Sequence, residues 1–424
     1  MFRFAVLLVC VAVMVPGALA LDRVSATEKG SLLVYPKVEI RWNSDGYLIQ
    51  DTFLTLNNDY NDAVDIQIYF VSETCTYVDN VIELTKNEPA YWSAATGWPK
   101  GVSPWTVLGD PYPDPSGSGD MVMRGFVVLW AINSDYVQIR WNHLYGGATL
   151  VNYCHGCAWE YNTYAFQATD SVPHGQPVGT GGIINLDGTD YDYGFDILLL
   201  DFFATGSMAF SHPFGGPAIW HDTDLTLLIA DMDFRQDGDG PKTTKAEFWV
   251  WNENEVGFSQ LRFCFTKWIQ ETLGNIGGHF LVENLGTDHG RAQIDGVASS
   301  ECLPLQSEDV VLLGTAAKQL WFGIYGGDSE DGECGRPASS GLHRFSPVGP
   351  AVPSGPHGKQ SLRKLHRRHT RGRSTMGKSS RRATFATGSR RSAFMSPALR
   401  AMKLRACSTI FFVTPRRTAF GITR

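Results

Sequence analysis

Between Val64 and Phe70 every second residue is apolar, Val64, Ile66, Ile68 and Phe70, with Asp65, Gln67 and Tyr69 in between. A period of two is the signature of a strand with one buried face, and it is incompatible with an amphipathic helix. The stretch "NNDYND" just before it supplies a turn. Comparable runs recur along the first three quarters of the chain: "LLVYPKVEIRW", "GFVVLWAI", "YVQIRWNHL", "DILLLDFFA", "DLTLLIADMDF" and "AEFWVWN". Helical spacing is scarce, and its best instance is "FTKWIQETLGNIG". The pattern therefore predicts an all-β body of antiparallel strands closed by Gly, Asn, Asp and Pro turns.

The chain is also self-similar. At an offset of 195 residues Leu32 and Leu33 fall on Leu227 and Leu228, Phe53 on Phe248, Asn57 on Asn252 and Phe70 on Phe265, although the alternation slips by one near Lys37. "GFVVLWAINSDYVQI" overlays "HFLVENLGTDHGRAQI" at 154 to 155. Repetition at this scale favours two modules of related construction over one large β-domain with accidental similarity. The expected fold is two antiparallel, immunoglobulin-like β-sandwiches in tandem, residues 21–170 and 171–325. The first carries a long insertion between Ser72 and Asp120.

The two ends differ from this body. "MFRFAVLLVCVAVMVPGALA" has a charged start, a short apolar run and small residues at Ala18 and Ala20, the pattern of an export signal cleaved after residue 20. The apolar run is shorter than the roughly 20 residues a spanning helix needs, so the mature protein is expected outside the cytoplasm with no transmembrane segment. Of 36 Lys and Arg, 19 lie beyond Arg336, where no Asp or Glu occurs, so all 43 acidic residues belong upstream. The acidic body argues against nucleic acid as its partner. The tail, residues 326–424, reads either as a poorly ordered polycation for nucleic acid or anionic envelope polymers or as a stretch translated in a shifted frame, the second being the preferred reading.

"KGSLLVYPKVEIRW", "QDTFLTLNNDY", "YWSAATG", "GVSPWTVL", "IRWNHLYGGATLVNY", "AWEYNTYAF" and "GPKTTKAEFWVWNENE" carry a resemblance. Over about residues 29–320 the chain resembles a group of exported bacterial β-rich proteins to which no activity is assigned. The resemblance implies export and a β-rich body, and it implies no substrate, cofactor or active residue.

Six cysteines lie between the signal and the tail extremity: Cys75, Cys154, Cys157, Cys264, Cys302 and Cys334. In an oxidising compartment they form staples. The repeat places Cys264 and Cys302 in one relation and Cys75 with Cys154 or Cys157 in the same relation, which predicts those pairings. "CHGC" lacks the following helix of a redox centre and the following His of haem attachment, and no second ligand pair completes a zinc site. Asp233, Asp237 and Asp239 could offer oxygens to calcium, yet they miss the EF-hand pattern and fit an Asp-rich turn; no other cofactor is implied. The insertion offers Tyr91, Trp92, Trp98 and Trp105, either as a small core or as a platform for a sugar. His143, His221 and Asp224 are the candidates for a hydrolytic triad, though no G-x-S-x-G or H-E-x-x-H motif accompanies them. The expected role is non-catalytic binding of an extracellular glycan or envelope component, or a structural one there. The alternative is a secreted hydrolase of polysaccharide or ester.

Overall fold

A computed structural model describes residues 24–26, 28–74, 76–100, 111–115, 117–154, 156–179, 184, 186, 188–195, 197–207, 218–230, 233–235, 243–297, 311–323 and 405–410. It is mostly β, with several antiparallel sheets, as the alternation requires. The expected signal segment, residues 1–20, and Cys75, Cys302, Cys334, Trp105, Asp237 and Asp239 lie outside the described residues. Among those described, no helix is long and apolar enough to cross a membrane.

The first half builds one large sheet from β1 (Leu32–Trp42), β2 (Leu48–Asn58), β3 (Val64–Ser72), β4 (Tyr77–Leu84), β5 (Pro89–Ser93), β6 (Tyr112–Pro113), β7 (Met121–Ile132), β8 (Leu144–Asn152), β9 (Cys157–Asn162) and β10 (Tyr164–Phe166). Its order is β4-β3-β7-β1-β2-β8-β9, with β10 on β1, β5 on β2 and β6 on β7. Val64, Ile66, Ile68 and Phe70 all point to one side and join Leu54, Leu56, Trp92, Leu129 and Leu150 in a single buried cluster. Strands from both ends of the sheet contribute to it, so the sheet wraps around this core.

In β1 and β7 the other face is buried too. Leu32, Val34, Phe126, Val128 and Trp130 belong to a second cluster that continues into Leu198, Phe202, Leu227, Phe248 and Ile294 of the second half. The chain divides into two compact units, and every described residue falls in the first of them. Burial on both faces explains why β1 and β7 read as nearly unbroken apolar runs.

The second half contains β11 (Ile197–Phe203), β12 (Gly206–Ser207), β13 (Ala218–Ile229), β14 (Thr243–Asn252), β15 (Leu261–Thr266), β16 (Trp268–Thr272), α1 (Leu273–Ile276), α2 (Val282–Leu285), β17 (His289–Val297), β18 (Leu312–Gly323) and β19 (Arg405–Ile410). One sheet runs β11-β17-β14-β15, the other β12-β13-β18-β19 with β16 on β13. The chain turns from the first sheet into the second at Lys267, whose φ of 55° makes the corner. β19 is the only part of the basic tail described; it pairs antiparallel with β18, so these six residues extend a sheet where the composition had pointed to low order.

Two expectations need correction. "FTKWIQETLGNIG" is mainly strand: Trp268 to Thr272 pair with Leu228 to Asp224, and only Leu273–Ile276 is helical. Pairing with a neighbouring strand overrides the local spacing. The internal similarity also does not extend to strand partners. β14 pairs with β15, whereas β3 pairs with β4 and β7 and not with β2. "HFLVENL", which overlays β7, forms a 3-10 turn and α2. At the 195 offset Leu54, with no exposed surface, falls on Trp249, which is 41 % exposed. A one-residue slip reverses every side chain in a strand, so β2 and β14 present opposite faces to their cores, whereas Phe70 and Phe265 are both buried.

Candidate functional site

Of the four aromatic residues in the insertion, the structure brings two together at the surface. Tyr91 lies on β5 opposite Thr55 of β2, and alternation turns it outward while Ala90 and Trp92 face the core. Trp92 is fully buried, Tyr91 is 49 % exposed and Trp98 is 69 % exposed. Trp92 is thus a packing residue, and Trp105 is not described. Tyr91 and Trp98 pack edge to face with ring centroids 6.5 Å apart. A tight turn carries Trp98: Ser93 N–H donates to Trp98 O at 3.0 Å and Gly97 N–H to Ser93 O at 2.7 Å. Asp51 anchors that turn, accepting from Ser93 Oγ at 2.5 Å and from Ala95 N–H at 3.0 Å.

The same outer face continues across β2 and β8. Thr55 is opposite Gly147 and Asn57 is opposite Tyr145, so Tyr91, Thr55, Asn57 and Tyr145 share one surface. Strand spacing places the two tyrosines roughly 12 Å apart. Gly147 keeps the middle of this surface low, since a Cβ there would lie 2.9 Å from Tyr161 O. Lys29 closes one end, its Nζ 5.9 Å from the centroid of the Tyr145 ring. Sequence reading identified the aromatic loop but missed Tyr145, which only β2-β8 pairing brings into line.

The histidine candidates do not form a triad. His143 sits in an aromatic cluster with Tyr60, Trp141 and His174, its ring 4.4 Å from Tyr60 and 5.2 Å from His174. Its Nδ1 lies 3.4 Å from Asp59 Oδ1. Desolvation lowers the pKa of both histidines, and His143 lowers that of His174 further. His221 is fully buried, with Nδ1 against Ala204 O and Nε2 3.3 Å from Asp288 Oδ1. Asp224 lies three positions along the same strand, on the opposite face. Of the calcium candidates, Asp233 serves a turn, its Oδ1 accepting from Arg235 N–H at 3.1 Å and Ile184 N–H at 3.4 Å.

A second assembly was hidden in "KVEIR". The register of β1 against β7 shifts between Tyr35 and Val38. This bulge is the slip noted in the sequence, and it turns Lys37 and Glu39 toward Asp224 and Gln270 of the second half while Val38 and Ile40 stay in the wrapped core. Glu39 Oε1 accepts from Arg41 Nε at 2.8 Å and from Arg124 Nε at 3.1 Å. The two arginines also hold Asp114, at 2.6 and 3.0 Å. Lys37 Nζ bonds Asp224 Oδ2 at 2.7 Å and lies 3.7 Å from Glu39 Oε2. Gln270 Nε2 donates to Glu39 Oε2 and to Asp224 Oδ2, at 3.0 Å each. The two carboxylates therefore lie within about 6 Å of one another, inside the range that glycoside hydrolysis uses. Three charges at alternate positions of a strand otherwise buried were the available signal.

Chemically the pair is unlike an acid and a nucleophile. Burial pushes the Glu39 carboxyl up, but Arg41, Lys37 and Arg124 outweigh it and hold the group well below the usual range. Glu39 is thus ionised and 3 % exposed. The adjoining recess, about 200 Å³, is lined by Glu73, Thr74, Pro115, Arg124, Trp268 and Gln270 among others. Trp268 offers it no open ring face: it is 6 % exposed and its Nε1 donates to Pro36 O at 2.7 Å.

Cys154 and Cys264 are each disulfide-bonded. No known family model matches the chain, and no characterised protein matches its sequence.

Proposed function

We propose that the protein is an exported, non-catalytic binding protein that holds a carbohydrate chain across the outer face formed by β5, β2 and β8. The observation that carries this reading is the Tyr91–Trp98 pair, whose rings pack on each other and stay 49 % and 69 % exposed. A ring that serves packing alone is covered, as Trp92 is. Aromatic faces suit the C–H faces of pyranose rings, and the polar tips and neighbours supply hydrogen bonds. Thr55, Asn57 and Tyr145 offer such groups along one line. The acidic body disfavours polyanions as ligands for this face.

A hydrolase would need Glu39 and Asp224, and the cations around Glu39 keep it an ionised carboxylate in the resting protein, so it cannot open the reaction as the general acid. The bonded state of Cys154 and Cys264 supports an oxidising compartment, as a secreted chain requires. Binding of the tail-free body to an array of polysaccharides tests the reading. Loss of retention in Trp98→Ala and Tyr91→Ala, with unfolding curves unchanged, is the expected result. Retention equal to the unsubstituted protein in both variants, or no retention on any glycan, would overturn it.

A further inference from the structure

We propose that Lys37 and Asp224 become joined by an intramolecular amide bond, which links β1 in the first half to β13 in the second. This inference is independent of the carbohydrate reading. Lys37 has 1 % of its side chain exposed, and its Nζ lies 2.7 Å from Asp224 Oδ2. The Trp159 ring is 5.3 Å from the same nitrogen. The residue is held on both sides: Trp268 Nε1 donates to Pro36 O at 2.7 Å, Lys37 N–H donates to the Tyr161 hydroxyl at 3.2 Å, and that hydroxyl donates to Lys37 O. A nucleophile and an electrophile fixed at this separation react as if at very high concentration.

The direct hydrogen bond within the pair also addresses the usual obstacle. In water an amine and a carboxylic acid remain an ammonium and a carboxylate, which do not condense. The reaction starts when a proton passes from Nζ to Oδ2 along their 2.7 Å hydrogen bond, giving a transient amine and carboxylic acid in contact. The amine lone pair then attacks Cγ of Asp224. Oδ2, which took the first proton, is the leaving oxygen, and Gln270 Nε2, 3.0 Å from it, donates to it as the C–O bond breaks. Oδ1, buried and without a hydrogen-bond partner among the described residues, remains as the carbonyl oxygen of the new amide. Glu39 Oε2, 3.7 Å from Nζ, accepts the second proton from nitrogen and returns it to the departing hydroxyl. One water leaves, an N–C bond replaces a C–O bond, and Glu39 ends ionised as it began. Nothing is oxidised or reduced, and no co-reactant is needed. Asp224 and Lys37 are 187 residues apart, so the bond would close a very long loop.

The test is the intact mass of the reduced, denatured full chain. The expected mass is lower than that of the sequence present by one water. Trypsin should fail to cut after Lys37, and digestion with a second protease should yield one branched peptide containing Lys37 and Asp224. Lys37→Arg and Asp224→Ala should each restore the full mass, and Glu39→Gln should leave the two side chains unjoined in protein of unchanged circular dichroism. The wild type at its full mass, with trypsin cutting after Lys37, would overturn the proposal. That measurement decides even where a variant does not fold.

Discussion

Asp222→Asn should stabilise the protein at neutral pH and leave it unchanged in acid. Asp222 is 7 % exposed on β13. Its Oδ1 accepts from Thr205 Oγ1 at 2.6 Å and from Thr223 N–H at 2.7 Å. Burial pushes its carboxyl from 3.8 up to about 6, with Asp224 adding to the rise and the two hydrogen bonds and His221 opposing it. The folded state therefore binds the proton more tightly than the unfolded state does. Its favourable contribution is complete below about pH 4, declines as pH rises toward 6 and is gone above it. A rise of this size corresponds to roughly 3 kcal/mol between the acid and neutral limits. The asparagine amide oxygen can accept both hydrogen bonds without ever carrying charge, so the variant escapes the loss. Urea unfolding followed by tryptophan fluorescence, from pH 4 to pH 8, measures the difference. The variant's advantage should grow from near zero to about 1–3 kcal/mol across that range. A difference that does not vary with pH, or an asparagine variant weaker than wild type at pH 7.5, would refute the assignment of Asp222 as a buried acid.

The remaining expectations concern packing and the charged network. Arg124→Met leaves Glu39 and Asp114 buried with Arg41 as their shared arginine, and should lower stability by about 3–5 kcal/mol in chemical denaturation. Gly146→Ala would place a Cβ 2.2 Å from Thr55 O and 2.6 Å from the Tyr35 hydroxyl. It should therefore break the 2.7 Å Tyr35–Thr55 hydrogen bond and cost about 1–3 kcal/mol or more, read as a lower melting temperature. Trp92→Ala should cost about 3–5 kcal/mol, whereas Trp98→Ala should stay within about 0.5 kcal/mol of wild type. Equal losses from the two tryptophans would contradict the burial that separates them.

Much of the architecture was legible residue by residue. The alternation in β3 places Val64, Ile66, Ile68 and Phe70 on one face because a strand has a period of two, and the fold uses that face. Alternation likewise separates Tyr91 from Trp92 on β5. The slip near Lys37 was visible as a break in that period, and it is the bulge of β1. The helix expected over "FTKWIQETLGNIG" was not formed, since the pairing of Trp268 to Thr272 with β13 depends on a strand more than 35 residues away. Similarity at the 195 offset recorded where apolar strands lie and could not report which face each one buries.

The sequence by itself determined the kind of structure: strands, their turns, an acidic body and a basic tail. These follow from local period and composition, which each segment carries without reference to any other. Only the tertiary structure decided which strands pair and what the pairing assembles. Lys37, Asp224 and Gln270 meet because the second face of β1 is buried against the second half, and Tyr91, Thr55 and Tyr145 align because β5, β2 and β8 are neighbours in one sheet. Both sites arise from contacts between residues far apart in the chain, and the free energy of those contacts is spread over the whole core.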